Sequence, residues 1–240
     1  IDIFETLETE VKNVHFTWKF TDKVIAELSG ESPFWIIRRE KLDKLLLQSA
    51  INYGTEILNH TTVVKLNNQN DHWSITCSNE NIYKSKFLVI ADGSQSKWAS
   101  YLSLGPSNPK FANTLALRLE GLGNIQKDSV RFDFGSIKYG FTWAFPSKKY
   151  TNVGLGTFIG DFNIYEQYLV KKVIKDFGFK NIKFESISKK LRIWNGIHKL
   201  HSDRVLVVGD AASLCDPFLA EGIRPSLLSS FYAAECINKC

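Results

Sequence analysis

Two short runs of uninterrupted aliphatic residues limit what this chain can fold into. Phe87-Leu88-Val89-Ile90-Ala91 runs straight into Asp92-Gly93, and Val205-Leu206-Val207-Val208 runs into Gly209-Asp210. A strand that alternates apolar and polar residues can face water on one side. An unbroken apolar run must be covered on both faces, as in a parallel sheet layered with other elements. In open α/β sheets, ligands bind in the crevice at the carboxyl ends of such strands. Glycine there permits a tight turn, and a carboxylate accepts hydrogen bonds from a polyol or ribose. The small Ala211-Ala212 pair leaves room beside it.

The rest of the chain reads mostly as antiparallel sheet. Strands are predicted at 14–20 and 24–28 around a turn at 21–23, and at 34–37. A helix follows with Leu42, Leu45, Leu46, Ser49, Ala50 and Tyr53 on one face and Gly54 as its stop. Short strands at 55–58, 62–66, 73–77 and 82–86 form a small meander. Further strands are predicted at 114–119, 130–134, 141–145, 152–158 and 187–193. Helices are predicted at 164–177, with Tyr168, Leu169, Val173, Ile174 and Phe177 as its apolar stripe, and from 221 onward. The fold class is therefore mixed α/β (α+β), with a discontinuous nucleotide-binding sheet interleaved with an antiparallel one. Residues 1–33 and 106–200 are assigned to the antiparallel domain, and 34–105 and 201–240 to the nucleotide-binding domain.

Composition narrows the function. The 240 residues are 44% hydrophobic and 13% aromatic, which excludes disorder and a disulfide scaffold. Thirty basic against 25 acidic residues give a net charge of +5. The lysines are scattered, with no basic stripe interleaved with aromatics, so no nucleic-acid partner is expected. Cys77, Cys215, Cys236 and Cys240 form no C-x-x-C pair, which suits a reducing compartment, and no metal is expected. The His198-x-x-His201 pair has no further ligand at suitable spacing. The sequence has no methionine and begins at Ile1, so it reads as a piece of a longer protein.

The run from Arg204 to Ile223 resembles the second flavin-binding motif of FAD-dependent oxidoreductases of the glutathione-reductase-like superfamily. The resemblance implies that Asp210 contacts the ribityl chain, with Gly209 and Ala211 beside it as cofactor-binding residues, and that Pro217, Gly222 and Ile223 lie against the isoalloxazine. A helix N-terminus there would favour an electron-rich group. Ala91, Asp92 and Gly93 look like the group's Asp-Gly motif beside the FAD pyrophosphate. Arg39 resembles the arginine that opens a helix and reaches toward the cofactor, with Arg38 a rival and a plain surface role the alternative. Val64 falls where the group contacts adenine through backbone atoms.

Phe141-Thr142-Trp143-Ala144-Phe145-Pro146, then seven residues, then Gly154-Leu155-Gly156, is similar to a Y-x-W-x-F-P-x7-G-x-G pattern of the geranylgeranyl reductase family. There the pattern lines the isoprenoid cavity. Phe141, Trp143, Phe145, Pro146, Gly154 and Gly156 are thus candidate substrate residues. A prenyl chain needs apolar aromatic walls and offers nothing to hydrogen-bond. Phe141 departs from the family's tyrosine, and Ala220 stands where many relatives have glycine. Gly154 to Gly160 also mimics a dinucleotide fingerprint, but no helix follows it.

The resemblance implies reduction of prenyl C=C bonds by reduced FAD, with NADPH or ferredoxin as alternative electron donors and no assignable proton donor. The group's strand–GxGxxG–helix unit is not in this sequence, nor is a Lys-x-Cys-Gly-Gly segment. Weak FAD binding by this chain alone is therefore expected. The rivals are a flavin monooxygenase or halogenase of the same fold, a lycopene-cyclase-like enzyme, and a non-catalytic remnant or lipid carrier. The expected location is cytoplasmic, with peripheral contact to a membrane the open alternative.

Overall fold

Strand patterns of period two dominate the computed structural model, which describes residues 2–29, 34–159, 166–180 and 186–240. It resolves into two compact units, Ile1–Glu56 with Asn113–Lys189 and Ile57–Ala112 with Lys190–Cys240. Each expected domain is discontinuous, but the divisions fall elsewhere. Residues 34–56 join the first unit because β4 (Phe34–Ile37) pairs antiparallel with β1 (Leu7–Val11). Helix α1 (Arg39–Asn52) is tied to the same unit, through Arg38 N–H to Thr6 O at its entry and through Lys41 to Glu8. Residues 106–112 and 190–200, expected with the antiparallel sheet, join the second unit.

The first unit is organised by a seven-stranded sheet. Its members are β2 (Asn13–Trp18), β3 (Thr21–Glu27), β9 (Lys110–Glu120), β10 (Ser129–Phe134), β11 (Gly140–Pro146), β12 (Tyr150–Thr157) and β13 (Ser186–Ile193). They run in the order β13-β9-β12-β11-β10-β2-β3. β9 with β12, β12 with β11, β11 with β10 and β2 with β3 pair antiparallel, whereas β2 and β10 are parallel. Successive side chains alternate faces. One face presents Leu115, Leu117, Leu119, Val153 and Leu155 to Val170, Val173, Ile174 and Phe177 of helix α3 (Glu166–Asp176) and the turn after it. The expected first residues of that helix lie outside the described residues, as do the side chains of Tyr168 and Leu169.

The hairpin between β2 and β3 corrects the expected turn. Residues 21–23 are strand, and the turn is Lys19–Phe20, both at positive φ (49° and 63°). Neither is a usual left-handed residue, so tertiary contacts hold them there. Phe20 N–H donates to Asp133 Oδ1 at 2.5 Å, and the Phe20 ring packs edge-on against Phe177.

The second unit joins two three-stranded sheets. The meander β5 (Val63–Asn68), β6 (Trp73–Cys77) and β7 (Ile82–Ser85) appears as expected. Residues 55–58 form no strand and are irregular. The two aliphatic runs become β8 (Leu88–Ile90) and β15 (Val205–Val207), adjacent and parallel, with β14 (His201–Ser202) at the edge. Leu66 and Trp73 of the meander pack with Ile90, Val205 and Val207 in one core. A short helix α2 (Trp98–Tyr101) and helix α4 (Ile223–Asn238) complete the unit. Helix α1 buries less of its stripe than expected: Leu42 is buried, but Tyr53 is 89% exposed. Among the described residues, no helix is long and apolar enough to cross a membrane.

Candidate functional site

In the second unit the parallel register brings both acidic-glycine turns to one end of neighbouring strands. Val207 stands opposite Ile90, and Val208 N–H donates to Ile90 O at 3.0 Å. Asp92-Gly93 and Gly209-Asp210 thus emerge side by side at the carboxyl ends. Gly93 adopts φ +82°, and a Cβ there would meet nothing within 4 Å. Its backbone therefore stands open to a close-approaching group, beside an exposed Asp92.

Beyond β15, residues Gly209–Ala212 form a 3-10 turn. Gly209 sits at φ +58°, and a Cβ would reach Ser226 Oγ at 2.8 Å, so helix α4 seats directly on this glycine. The Gly209 N–H donates to Ser229 Oγ of the same helix. Gly222 brings the start of α4 to the Asp210 carboxylate, since its missing Cβ would stand 3.2 Å from Oδ1. The loop between them is braced internally. Asp216 Oδ2 accepts the N–H groups of Phe218 and Leu219, and Asp216 N–H donates to Glu221 O. Pro217 is held exposed on this turn.

The helix N-terminus offers less than the sequence suggests. The helix begins at Ile223; the Arg224 N–H is taken by Glu221 Oε1 at 2.9 Å, and Pro225 has none. Among the described residues, only the Ile223 N–H remains open in that first stretch. Cys215 lies against Gly222 and is buried. Burial, with Asp210, Asp216 and Glu221 nearby, pushes its thiol up to about 12, so it stays protonated and unreactive at neutral pH.

Arg192, which the sequence reading missed, joins the two turns. Only 5% exposed, it donates from Nη2 to Ser96 O (2.9 Å) after the first turn and from Nη1 to Ala211 O (3.1 Å) in the second. Burial lowers its pKa, and the Asp92 and Asp210 carboxylates oppose that shift. Among the described residues, its Nε and the Ser213 hydroxyl are buried without partners. No local signal marks it, because its contacts lie 19 and 96 residues away in sequence.

Val64 lies on the edge strand β5 of the meander. Val63 faces Cys77 and Lys65 faces Thr76, so Val64 is the extra residue of a bulge. A bulged residue is left out of the ladder, which leaves its backbone for another partner. Arg39 belongs to the first unit, exposed and paired with Asp43 at 3.1 Å; Arg38 pairs with Glu40 at 2.8 Å.

In the first unit, the Trp-x-Phe-Pro and Gly-x-Gly segments are the two strands of one hairpin, β11 and β12. Pro146 faces Thr151 across it, and that register places Trp143 opposite Gly154 and Phe141 opposite Gly156. The seven-residue spacing is the turn plus the first four residues of β12. Gly154 is the seat of the indole: a Cβ there would come within 2.1 Å of Trp143 Cζ2. At Gly156 it would stand 3.5 Å from Trp143 Cζ3. The Trp143 Nε1 donates to Asn152 Oδ1 at 2.8 Å, which fixes the ring across the strands.

Around Trp143 the rings form one wall on the face away from α3. Phe141 touches Phe132, Phe134, Trp143 and Phe158; Phe145 touches Trp143, Phe132 and Phe34; Phe16 stacks on Phe132. Phe141 is 3% exposed and Pro146 is buried, so both back the wall, while Trp143 and Phe145 keep part of their surface open. The alternating Phe132-x-Phe134 was a readable signal for the additional rings.

No protein-family model matches the chain. It is 26% identical over 229 residues to a digeranylgeranylglycerophospholipid reductase of Methanocaldococcus jannaschii, covering 90% of this chain and 58% of that protein. A protein of the same name from Picrophilus torridus is 27% identical, with 89% and 57% covered. The chain thus spans a little over half the length of these relatives. The fold matches that of a geranylgeranyl bacteriochlorophyll reductase-like protein from Thermoplasma acidophilum, with a TM-score of 0.83 over 98% of this chain and 63% of that one, at 22% identity. It also matches the halogenase PltM, with a TM-score of 0.76 over 97% of this chain and 54% of that one, at 16% identity. The likeness to these named reductases extends over nine-tenths of the chain, and the mixed α/β fold of the solved structures is shared.

Proposed function

We propose that this chain carries FAD-contacting loops and the prenyl-binding wall of a flavin-dependent reductase acting on geranylgeranyl or related isoprenoid chains. The observation that carries this reading is the wall of rings around Trp143, seated on the two glycines of the same motif. Such a surface gains by burying apolar area and has few groups that would demand hydrogen bonds from a ligand. The named reductases among the relatives supply the substrate class.

The second unit suits FAD in its residues. Asp210 would accept hydrogen bonds from ribityl hydroxyls. The open backbone at Gly93 would lie by the pyrophosphate, and Gly222 and Ile223 by the ring. The bulged backbone of Val64 would serve the adenine. Arg192 would act through the two turns as a positioning residue, holding Ser96 and Ala211 in place. Arg39 is kept as a proposed contact. FAD, when bound and reduced, supplies the hydride for reduction of a C=C bond. The chain's own part is to orient the apolar substrate and exclude water. NADPH or ferredoxin remain the proposed electron donors, and peripheral contact with a membrane is proposed from the nature of the substrate.

The test uses the full-length protein, loaded with FAD, reduced anaerobically and given a digeranylgeranylglycerophospholipid. Mass spectrometry should show products heavier by two hydrogens per reduced double bond. An unchanged lipid, together with turnover that requires dioxygen and a halide, would instead support the halogenase reading.

A further inference from the structure

The α3 side of the seven-stranded sheet contains a cleft of about 370 Å³, lined by β2, β3, β10 and the loop of residues 124–126. Its floor follows from the parallel pairing of β2 with β10, which sets His15 directly opposite Arg131. His15 is 7% exposed, and among the described residues neither ring nitrogen has a hydrogen-bond partner. The Arg131 guanidinium lies over the Phe20 and Phe177 rings, at 5.1 and 5.5 Å, and among the described residues its Nε is buried without a partner. Lys23 brings a second cation, beside Arg131, to the rim.

Asp133, the acid that acts most strongly on Arg131, spends its hydrogen bonds on other groups. Asp133 already accepts from Thr17 Oγ1 and Phe20 N–H on one oxygen and from Ser136 Oγ on the other. Asp128 acts on His15, and Asp133 and Asp176 on Arg131, only through the field; Asp22 sits at the rim with Lys23. Burial, Lys23 and Arg131 hold His15 below its usual range, in keeping with a positive local field. The Arg131 Nε is a buried donor without a partner among the described residues, a rare condition in folded proteins that calls for an explanation such as an ion or ligand.

We infer that this cleft binds a phosphate-bearing small molecule, with Arg131, His15 and Lys23 as donors. A planar guanidinium makes paired N–H bonds to such an oxyanion. Donors from three strands suit the tetrahedral phosphate better than a planar carboxylate. The volume exceeds that of a bare ion and falls at the lower end of small-molecule sites. Phe20 and Ile125 offer an apolar edge to the rest of the ligand. The cleft is on the face opposite the aromatic wall, so its occupancy does not depend on the reductase reading.

Calorimetric titration of the full-length, FAD-loaded protein with inorganic phosphate and with pyrophosphate, at constant ionic strength, tests this. Saturable binding is expected, weakened about tenfold or more by Arg131→Gln and by His15→Gln, and less by Lys23→Gln. Lys23 is exposed and His15 makes no hydrogen bond, so these two variants carry the test where Arg131→Gln fails to fold. Absence of saturable binding overturns the inference. So does binding that survives these substitutions unchanged, which would place phosphate elsewhere.

Discussion

The two faces of the seven-stranded sheet are built from different side chains. Toward α3 stand Leu115, Leu117, Leu119, Val153 and Leu155, none more than 2% exposed. On the other face stand Phe16, Phe134, Trp143 and Phe145, all half-buried, with Phe132 and Phe141 beneath them. Aliphatic side chains interdigitate to crystal-like density and hold the sheet to its helix. The rings keep part of their apolar surface uncovered within the chain. Alternation along one strand thus divides labour residue by residue: Ala144 packs inward while Trp143 and Phe145 remain available.

The division can be broken most forcefully from the aliphatic side. Leu155→Ala should cost about 3 kcal/mol in denaturant unfolding, as a cavity in a fully buried cluster, while folded protein keeps its affinity for a prenyl ligand. Loss of that affinity without loss of stability would erase the distinction between the faces. Gly154→Ala should come next, at about 2 kcal/mol, because the new methyl displaces the Trp143 indole or the Leu115 carbonyl. Its cost should fall sharply in a Trp143→Ala background; an unchanged cost would mean that the indole does not sit on Gly154.

Both faces depend on side-chain packing, whereas the loops of the second unit depend on backbone held by one buried arginine. Arg192→Lys keeps the charge but cannot span Ser96 O and Ala211 O together. FAD affinity of the full-length protein should drop about tenfold, which is worth about 1.4 kcal/mol, and equilibrium flavin titration would show it. The smallest effect is expected at Ala220, at φ +58°. An L-residue there pays about 1–2 kcal/mol that glycine avoids, partly offset by glycine's chain entropy. Ala220→Gly should therefore raise stability by about 0.5 kcal/mol in thermal or denaturant melts.

That same residue shows what the sequence could tell. Ala220 departs from the glycine that the resemblance implies, and its left-handed backbone is one that glycine would adopt more readily. The parallel pair β8–β15 was legible because unbroken aliphatic runs allow few other settings. The Trp143–Gly154 hairpin was legible as a motif, although its meaning, an indole seated on glycine, needed the register. The turn at Lys19–Phe20 was not legible, since Asp133 and Phe177 impose it from more than a hundred residues away. Arg192 and the His15–Arg131 pair were hidden for the same reason. Each acquires its role through contacts between segments that no local pattern links. The irregular 55–58 segment shows the opposite failure, a strand-like composition without a partner strand.

The central claim is that the ring-lined face around Trp143 receives the prenyl chain. Photocrosslinking tests it most directly: the full-length, FAD-loaded protein is irradiated with a geranylgeranyl chain carrying a diazirine, and the labelled peptides are located by mass spectrometry. The account predicts labels on β10, β11 and β12 at or beside Phe134, Trp143 and Phe145, reduced by unlabelled lipid. Labels confined to α3 or to the aliphatic face, with none on these strands, would contradict it.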